Sequence, residues 1–276
     1  MTISLIYAYW PNQPFGITWC DLPWALRDAG LPKRLNQAGH EVLETILMAE
    51  DDFPEELHSG FQLAGQIAAE VTKAKSEGEL AVILCGSCAL AAIGGVSGLG
   101  GGDETGIAWF DAHPDLNTPE TTTSGLLEGM ALAAATGNAW TTMAKTYAGL
   151  QPATLAHTAL FGARDIDPAE QALLDAHGVP LAQSAAAINT RLTGTRHTYV
   201  HLDMDVHNAL MVRTNATPAP NGPSAEHVRA TLTKINRTAV LGITGLDPAA
   251  QDSKAASEIA IGHILAVAQH HAQSND

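Results

Sequence analysis

A chain of 276 residues that is 46% apolar and only 16% charged holds enough hydrophobic material for a large buried sheet, which excludes disordered, fibrous and coiled-coil classes. Its 14 Lys and Arg against 29 Asp and Glu give a net charge of -15. That balance excludes nucleic acid and anionic membranes as partners and leaves small substrates or metal ions. In chain order, short runs rich in Val, Ile and Leu recur from Ile3, Glu41, Leu80, Gly106, Thr158, Val179, Thr198 and Ala239. Between them lie helix-like stretches: Phe61 to Lys75, Leu126 to Ala135, Pro168 to His177, Ser224 to Asn236 and Pro248 to Gln269. Strands alternating with helices predict a mainly parallel sheet covered on both faces. Residues 1–276 are expected to form one domain, since no repeat or linker interrupts them and Asn215 to Ser224 reads as an ordered loop. The tail holding His270 and His271 is expected to fray. The first basic residue is Arg27 and no apolar run spans a bilayer, so a cytoplasmic protein is expected.

Chemistry concentrates at strand ends. Asp111-Ala112-His113-Pro114-Asp115 follows the run GIAWF, and His201-Leu202-Asp203-Met204-Asp205 closes another run. In an extended segment alternate side chains share one side, so each cluster is expected to converge on one small volume. Ligands of open parallel sheets bind outside the carboxyl ends of the strands. Five oxygen and nitrogen donors suit two divalent ions sharing carboxylates better than one ion with an open position. The bland alternative is a pair of solvated acidic loops. A third run ends in Cys85-Gly86-Ser87-Cys88, which read alone is either a dithiol redox motif or half of a metal site.

Taken together, DAHPDLNTPETTTSG from Asp111, the pair Asp203 and Asp205, and GARDIDPAE from Gly162 resemble the ureohydrolase family of arginases and agmatinases. The resemblance implies an α/β fold, a three-layer α/β/α sandwich on an eight-stranded, mainly parallel sheet. It also implies a dinuclear cluster of divalent ions, Mn2+ by family habit, in which a metal-bridging hydroxide attacks a guanidino carbon. Carried over by residue, Asp111 and Asp203 would bridge the metals, Asp115 would complete the first, and His113 with Asp205 would complete the second. Cys88 stands where the family has a histidine in Gly-Gly-Asp-His, and Cys85 where it has glycine. Asn117 and Ser124, supported by Thr122, match residues that bind an α-carboxylate, and Asp167 one that accepts from an α-ammonium. Asn117, Ser124 and Asp167 could equally be turn, helix-start and helix-cap residues.

The reacting end departs from the pattern. Glu128 replaces a shuttle histidine, so Asp115 and Glu128 are the implied catalytic residues. Gly245 replaces the glutamate that holds a guanidinium, and restoring Glu there is expected to raise arginine turnover only if the Glu128 carboxylate does not reach the pocket. The implied substrate is therefore an α-amino acid with a changed distal group. Nω-hydroxy-L-arginine fits, cleaved to hydroxyurea and L-ornithine as in D-cycloserine biosynthesis. Ordinary arginase or agmatinase activity, a Cys85–Cys88 thiol oxidoreductase and a non-catalytic amino-acid-binding protein are the alternatives. Family trimers use an extension beyond the last helix, so a monomer is expected.

Overall fold

The computed structural model describes residues 1–11, 18–49, 56–215 and 218–275. Residues 216–217 of the expected 215–224 loop therefore lie outside the described residues. Among the described residues eight strands form one sheet: β1 Thr2–Tyr9, β2 Glu41–Met48, β3 Leu80–Cys85, β4 Thr105–Phe110, β5 Thr158–Phe161, β6 Leu181–Ala182, β7 His197–Asp203 and β8 Thr238–Thr244. Their order is β2-β1-β3-β8-β7-β4-β5-β6, and every pairing is parallel. The central strands read as continuous apolar runs because both faces are covered, and all six residues of β3 and of β4 are buried.

Ten helices among the described residues supply the two outer layers: α1 Leu22–Asp28, α2 Leu31–Gln37, α3 Glu56–Glu77, α4 Cys88–Leu99, α5 Ala131–Ala135, α6 Thr141–Ala148, α7 Pro168–His177, α8 Ala185–Arg191, α9 Ala225–Leu232 and α10 Ser253–Asn275. Alternation sorts each strand's side chains between two cores. Ile83, Cys85, Ile107, Trp109 and Tyr199 face α3 to α6, while Val82, Leu84, Phe110, Val200 and Leu202 face α1, α2, α8, α9 and α10. This is the expected three-layer sandwich, and no helix among the described residues is long and apolar enough to cross a membrane.

The helix boundaries differ from the expectations in several places. The last helix starts at Ser253 rather than Pro248, because Asp247 folds the chain into a turn: its carboxylate accepts from Ala249 N and its carbonyl from Ala250 N. The tail is helical rather than frayed, and α10 runs through His270 and His271 to Asn275. Leu126 and Leu127, expected to be helical, lie outside the observed helix, whose first turn is a 3-10 turn over Glu128–Met130 leading into α5.

Candidate metal centre

Four adjacent strands, β3, β8, β7 and β4, end on one side of the sheet, and their carboxyl ends carry the candidate residues. A cavity of about 200 Å³ there is lined by Trp19, Cys88, Asp111, His113, Asp115, Ser124, Leu126, Glu128, Asp203, Asp205 and Asn215, among others.

The carboxylates converge by bending of the chain, not by the extended alternation expected from the sequence. β4 stops at Phe110, and Asp111 Oδ1 then accepts from His113 N at 2.8 Å, turning the chain. Asp115 follows with a left-handed backbone, φ 52°, a conformation uncommon outside glycine and often found at functional sites. On β7 the same device recurs: Asp203 Oδ1 accepts from Asp205 N at 2.7 Å, starting the 3-10 turn Met204–Val206. The two turns are linked where Ala112 N donates to Asp205 Oδ1 at 3.1 Å.

Burial sets the electrostatics. Asp111, Asp115, Asp203 and Asp205 are all buried. Burial and the charge of Asp205 push Asp111 up to about 7. Burial and Asp111 push Asp115 well above the carboxylate range, as burial, Asp205 and Asp111 do Asp203. Burial works against ionisation of Asp205 too, but His113 outweighs it by hydrogen bond and charge and holds this carboxyl at about 2. His113 Nδ1 lies 3.4 Å from Asp111 Oδ1 and 3.2 Å from Asp205 Oδ2. Desolvation opposes its protonation, yet these two carboxylates raise its pKa to about 12.

On the opposite side Cys88 opens α4. Its thiol donates to Asp203 Oδ2 at 3.2 Å and lies 3.3 Å from Thr244 Oγ1, and burial followed by the charge of Asp203 keeps it well above a normal thiol. Cys85, on β3, accepts from Ser87 N at 3.4 Å, and burial raises its thiol to about 12. Both cysteines are free and buried. Glu128 Oε2 accepts from Ser87 Oγ at 3.0 Å and from Ala89 N at 3.3 Å, which seats its carboxylate on the first turn of α4.

Of the other candidates, Ser124 lines the cavity and Thr122 Oγ1 lies 3.3 Å from Ser124 Oγ. Asn117 and Asp167 meet each other, Nδ2 donating to Oδ2 at 2.9 Å, while Asn117 Oδ1 accepts from Thr121 Oγ1. Asp167 also caps α7, with Pro168 in the first turn and Glu170 returning to its N–H.

Several supporting residues carried no signal of this role in the sequence. Arg164 donates to six carbonyls, those of Gly162, Asp205, Val206, His207, Ala219 and Pro220. Glu170 reaches Leu116 N, and Asn215 Nδ2 lies 3.3 Å from both Asp205 Oδ2 and the Gly245 carbonyl. Trp19 arrives from a segment remote in sequence.

Gly245 has φ 66°, and a Cβ there would stand 1.9 Å from Asp203 Oδ1. The backbone takes a course open to glycine, against the side chain of a candidate ligand. A Glu at 245 would collide with the Asp203 carboxylate, so the substitution strains a candidate ligand whatever it does to arginine turnover.

A model of the arginase family matches residues 23–269. The chain belongs to the arginase family. It is thereby an amidinohydrolase, acting on C–N bonds of linear amidines. It is 28% identical over 232 residues to Arginase-1 of Rattus norvegicus, covering 72% of this chain and 68% of the relative. It is 26% identical over 236 residues to an N(omega)-hydroxy-L-arginine amidinohydrolase of Streptomyces lavendulae, covering 84% of each. The fold matches the crystal structure of arginase from Bacillus subtilis with a TM-score of 0.85 at 20% identity, covering 97% of this chain and 98% of the other.

Members of this family depend on two metal ions, and the donor set here fits a pair of cations. Four buried aspartates face one cavity, and among the described residues His113 and His201, rather than any Lys or Arg, form ion pairs with them. Buried carboxylates without cations are pushed toward protonation, as Asp111, Asp115 and Asp203 are. Three groups have ligand atoms within 4.8 Å of one another: Asp111, His113 and Asp205; Cys88, His201 and Asp203; and Asp111, Asp115 and His201.

Proposed function

We propose that the chain hydrolyses Nω-hydroxy-L-arginine to hydroxyurea and L-ornithine at a dinuclear centre, with manganese as the family's usual ion. The observation that carries the reading is Gly245. Where the resemblance puts the carboxylate partner of a guanidinium, this chain has no side chain and no room for one beside Asp203. An arginine guanidinium is always charged, and a buried cation without a partner costs several kcal/mol. Hydroxylation withdraws electron density and lowers the basicity of the group, so the hydroxylated side chain can enter the same pocket neutral. The relative from Streptomyces lavendulae, named for this substrate, supports the same choice.

Two divalent ions, when bound, supply a nucleophile at neutral pH and polarise the carbon under attack. Cys88, Asp111, His113, Asp115, Asp203 and Asp205 would hold them. Asp115, on the cavity lining beside Asp111 and His113, would take a proton from the attacking water. Glu128, on the cavity wall, would deliver one to the departing ornithine amine. Ser124 on the cavity wall, together with Thr122, Asn117 and Asp167, would receive the amino-acid end. Asn117 and Asp167 already bond to each other, so substrate would exchange into that pair.

The test measures ornithine release from both amino acids, with metal content determined on the same sample. Hydroxylated arginine is expected to have a kcat/KM on the order of a thousand-fold above that of arginine, the cost of several kcal/mol for an unpartnered cation. Equal values would return the protein to the arginase reading, with Glu128 serving as the missing anion.

A further inference from the structure

We propose that His201 is itself a metal ligand, giving the ion on the Cys88 side an imidazole and a thiolate together. The inference rests on the hydrolase reading only in requiring a bound ion. His201 sits on β7 two residues before Asp203, so its side chain leaves the sheet on the same face, and it is wholly buried. Its ring stacks on Trp109, its register partner on β4, with centroids 3.7 Å apart and planes 7° from parallel. Its partner on β8 is Gly242. A Cβ there would stand 2.6 Å from the Tyr199 hydroxyl, so glycine opens the space in which that hydroxyl meets His201 Nδ1 at 3.1 Å.

With the ring fixed on one side and Nδ1 bonded on the other, Nε2 points at the cluster. It lies 3.2 Å from Thr244 Oγ1 and 3.9 Å from Asp111 Oδ2. The Thr244 hydroxyl also touches Cys88 Sγ at 3.3 Å and Asp203 Oδ2 at 3.4 Å, so three donor atoms surround one oxygen. Asp111 shows the same two-sided arrangement, with Oδ1 facing His113 and Oδ2 facing His201. One carboxylate therefore stands between two imidazoles, one for each ion. Metal-binding histidines characteristically have their second nitrogen held by an outer partner, the role Tyr199 plays here. If packing against Trp109 were the ring's whole purpose, a phenyl group would serve without burying polar nitrogens. A thiolate, an imidazole and carboxylates form a donor set softer than oxygen alone and suit Co2+ or Zn2+.

The test is cobalt(II) titration of the chelator-treated full chain, followed by visible absorption and by metal analysis after gel filtration. The unmodified protein is expected to take up two equivalents. His201→Phe keeps the stack on Trp109 and removes the nitrogen. It is expected to weaken one equivalent by more than the roughly 10- to 100-fold that outer-shell partners contribute and to change the thiolate-to-cobalt absorption. Tyr199→Phe should keep both equivalents and weaken one about 10-fold. Should His201→Phe misfold, the imidazole 15N resonances of the unmodified protein decide the matter, since Nε2 of His201 must shift on zinc loading. An unchanged isotherm and spectrum in His201→Phe, or an unmoved resonance, would overturn the inference and leave the hydrolase reading standing. Failure of the unmodified protein to bind cobalt would overturn both.

Discussion

Cys85 and Cys88 lie three residues apart, both buried, yet they face different neighbours. The Cys88 thiol is in contact with Asp203 and Thr244 at the cavity, whereas Cys85 is turned into the core beside Ile83 and bonds Ser87 N. A dithiol oxidoreductase needs a thiol whose pKa is lowered toward neutrality, and here burial raises both. A cation beside Cys88 would reverse that shift, because a coordinating thiol gives up its proton outright. Cys88→Ala is therefore expected to lose an equivalent of metal and at least 100-fold in activity. Cys85→Ala should keep both and lose about 1 kcal/mol of stability or somewhat more, from a small core cavity. Metal analysis and ornithine release on the two variants check this, and matching behaviour would revive the redox reading.

At the scale of elements, Asp205 to His207 and Ala219 to Pro220 are tied together by Arg164. One planar guanidinium donates to six carbonyls, which ties the turn after β5 to the loop carrying Asp205. Arg164→Lys keeps the charge but offers a single ammonium in place of a fork, leaving several carbonyls without a donor. It is expected to cost about 2 kcal/mol or more of stability and to weaken metal binding through Asp205, with urea unfolding and cobalt titration as the readouts. This dependence explains what the sequence could reveal. The strand runs were legible because central parallel strands are apolar throughout, and the fold class followed from their alternation with helices. Helices α1, α2, α6 and α8 have only seven or eight residues each, too few to establish a period. Asp111, His113, Asp115, Asp203 and Asp205 could be named from their chemical types, and Cys88 as a ligand, Ser124 and Glu128 only through the family resemblance, but side-chain alternation gives the wrong reason for their convergence. Asp111 and Asp203 bend the chain through their own carboxylates, a local competition with extended backbone that alternation rules ignore. The contributions of Arg164, Glu170, Asn215 and Trp19 exist only once distant segments meet, and none stands out by residue type.

For the molecule as a whole, the buried cluster makes stability depend on pH in a direction that metal should abolish. In the metal-free protein Asp111 has its pKa raised from 3.8 to about 7, and Asp115 and Asp203 are raised as well. A raised folded-state pKa means that the native state holds protons more tightly than the unfolded chain. The stability it contributes is complete below the unfolded value and is lost as pH rises through the folded one. For Asp111 that window runs from about 4 to about 7. His113, raised from 6.5 to about 12, acts in the same direction above pH 6.5. Asp205, lowered to about 2, opposes them below pH 4, where its stabilising charge is lost. The chelator-treated protein should therefore be most stable in mildly acidic solution and weaken toward pH 8, by a few kcal/mol on the scale of one shifted pKa. Bound cations favour the ionised carboxylates and require His113 unprotonated, so loading releases protons and stabilises more at high pH than at low pH. Urea unfolding at pH 5 and pH 8, with and without added manganese, measures both trends. A metal-free protein no less stable at pH 8 than at pH 5 would mean that the carboxylates already have their cations in the chain itself, and the metal centre would lose its electrostatic rationale.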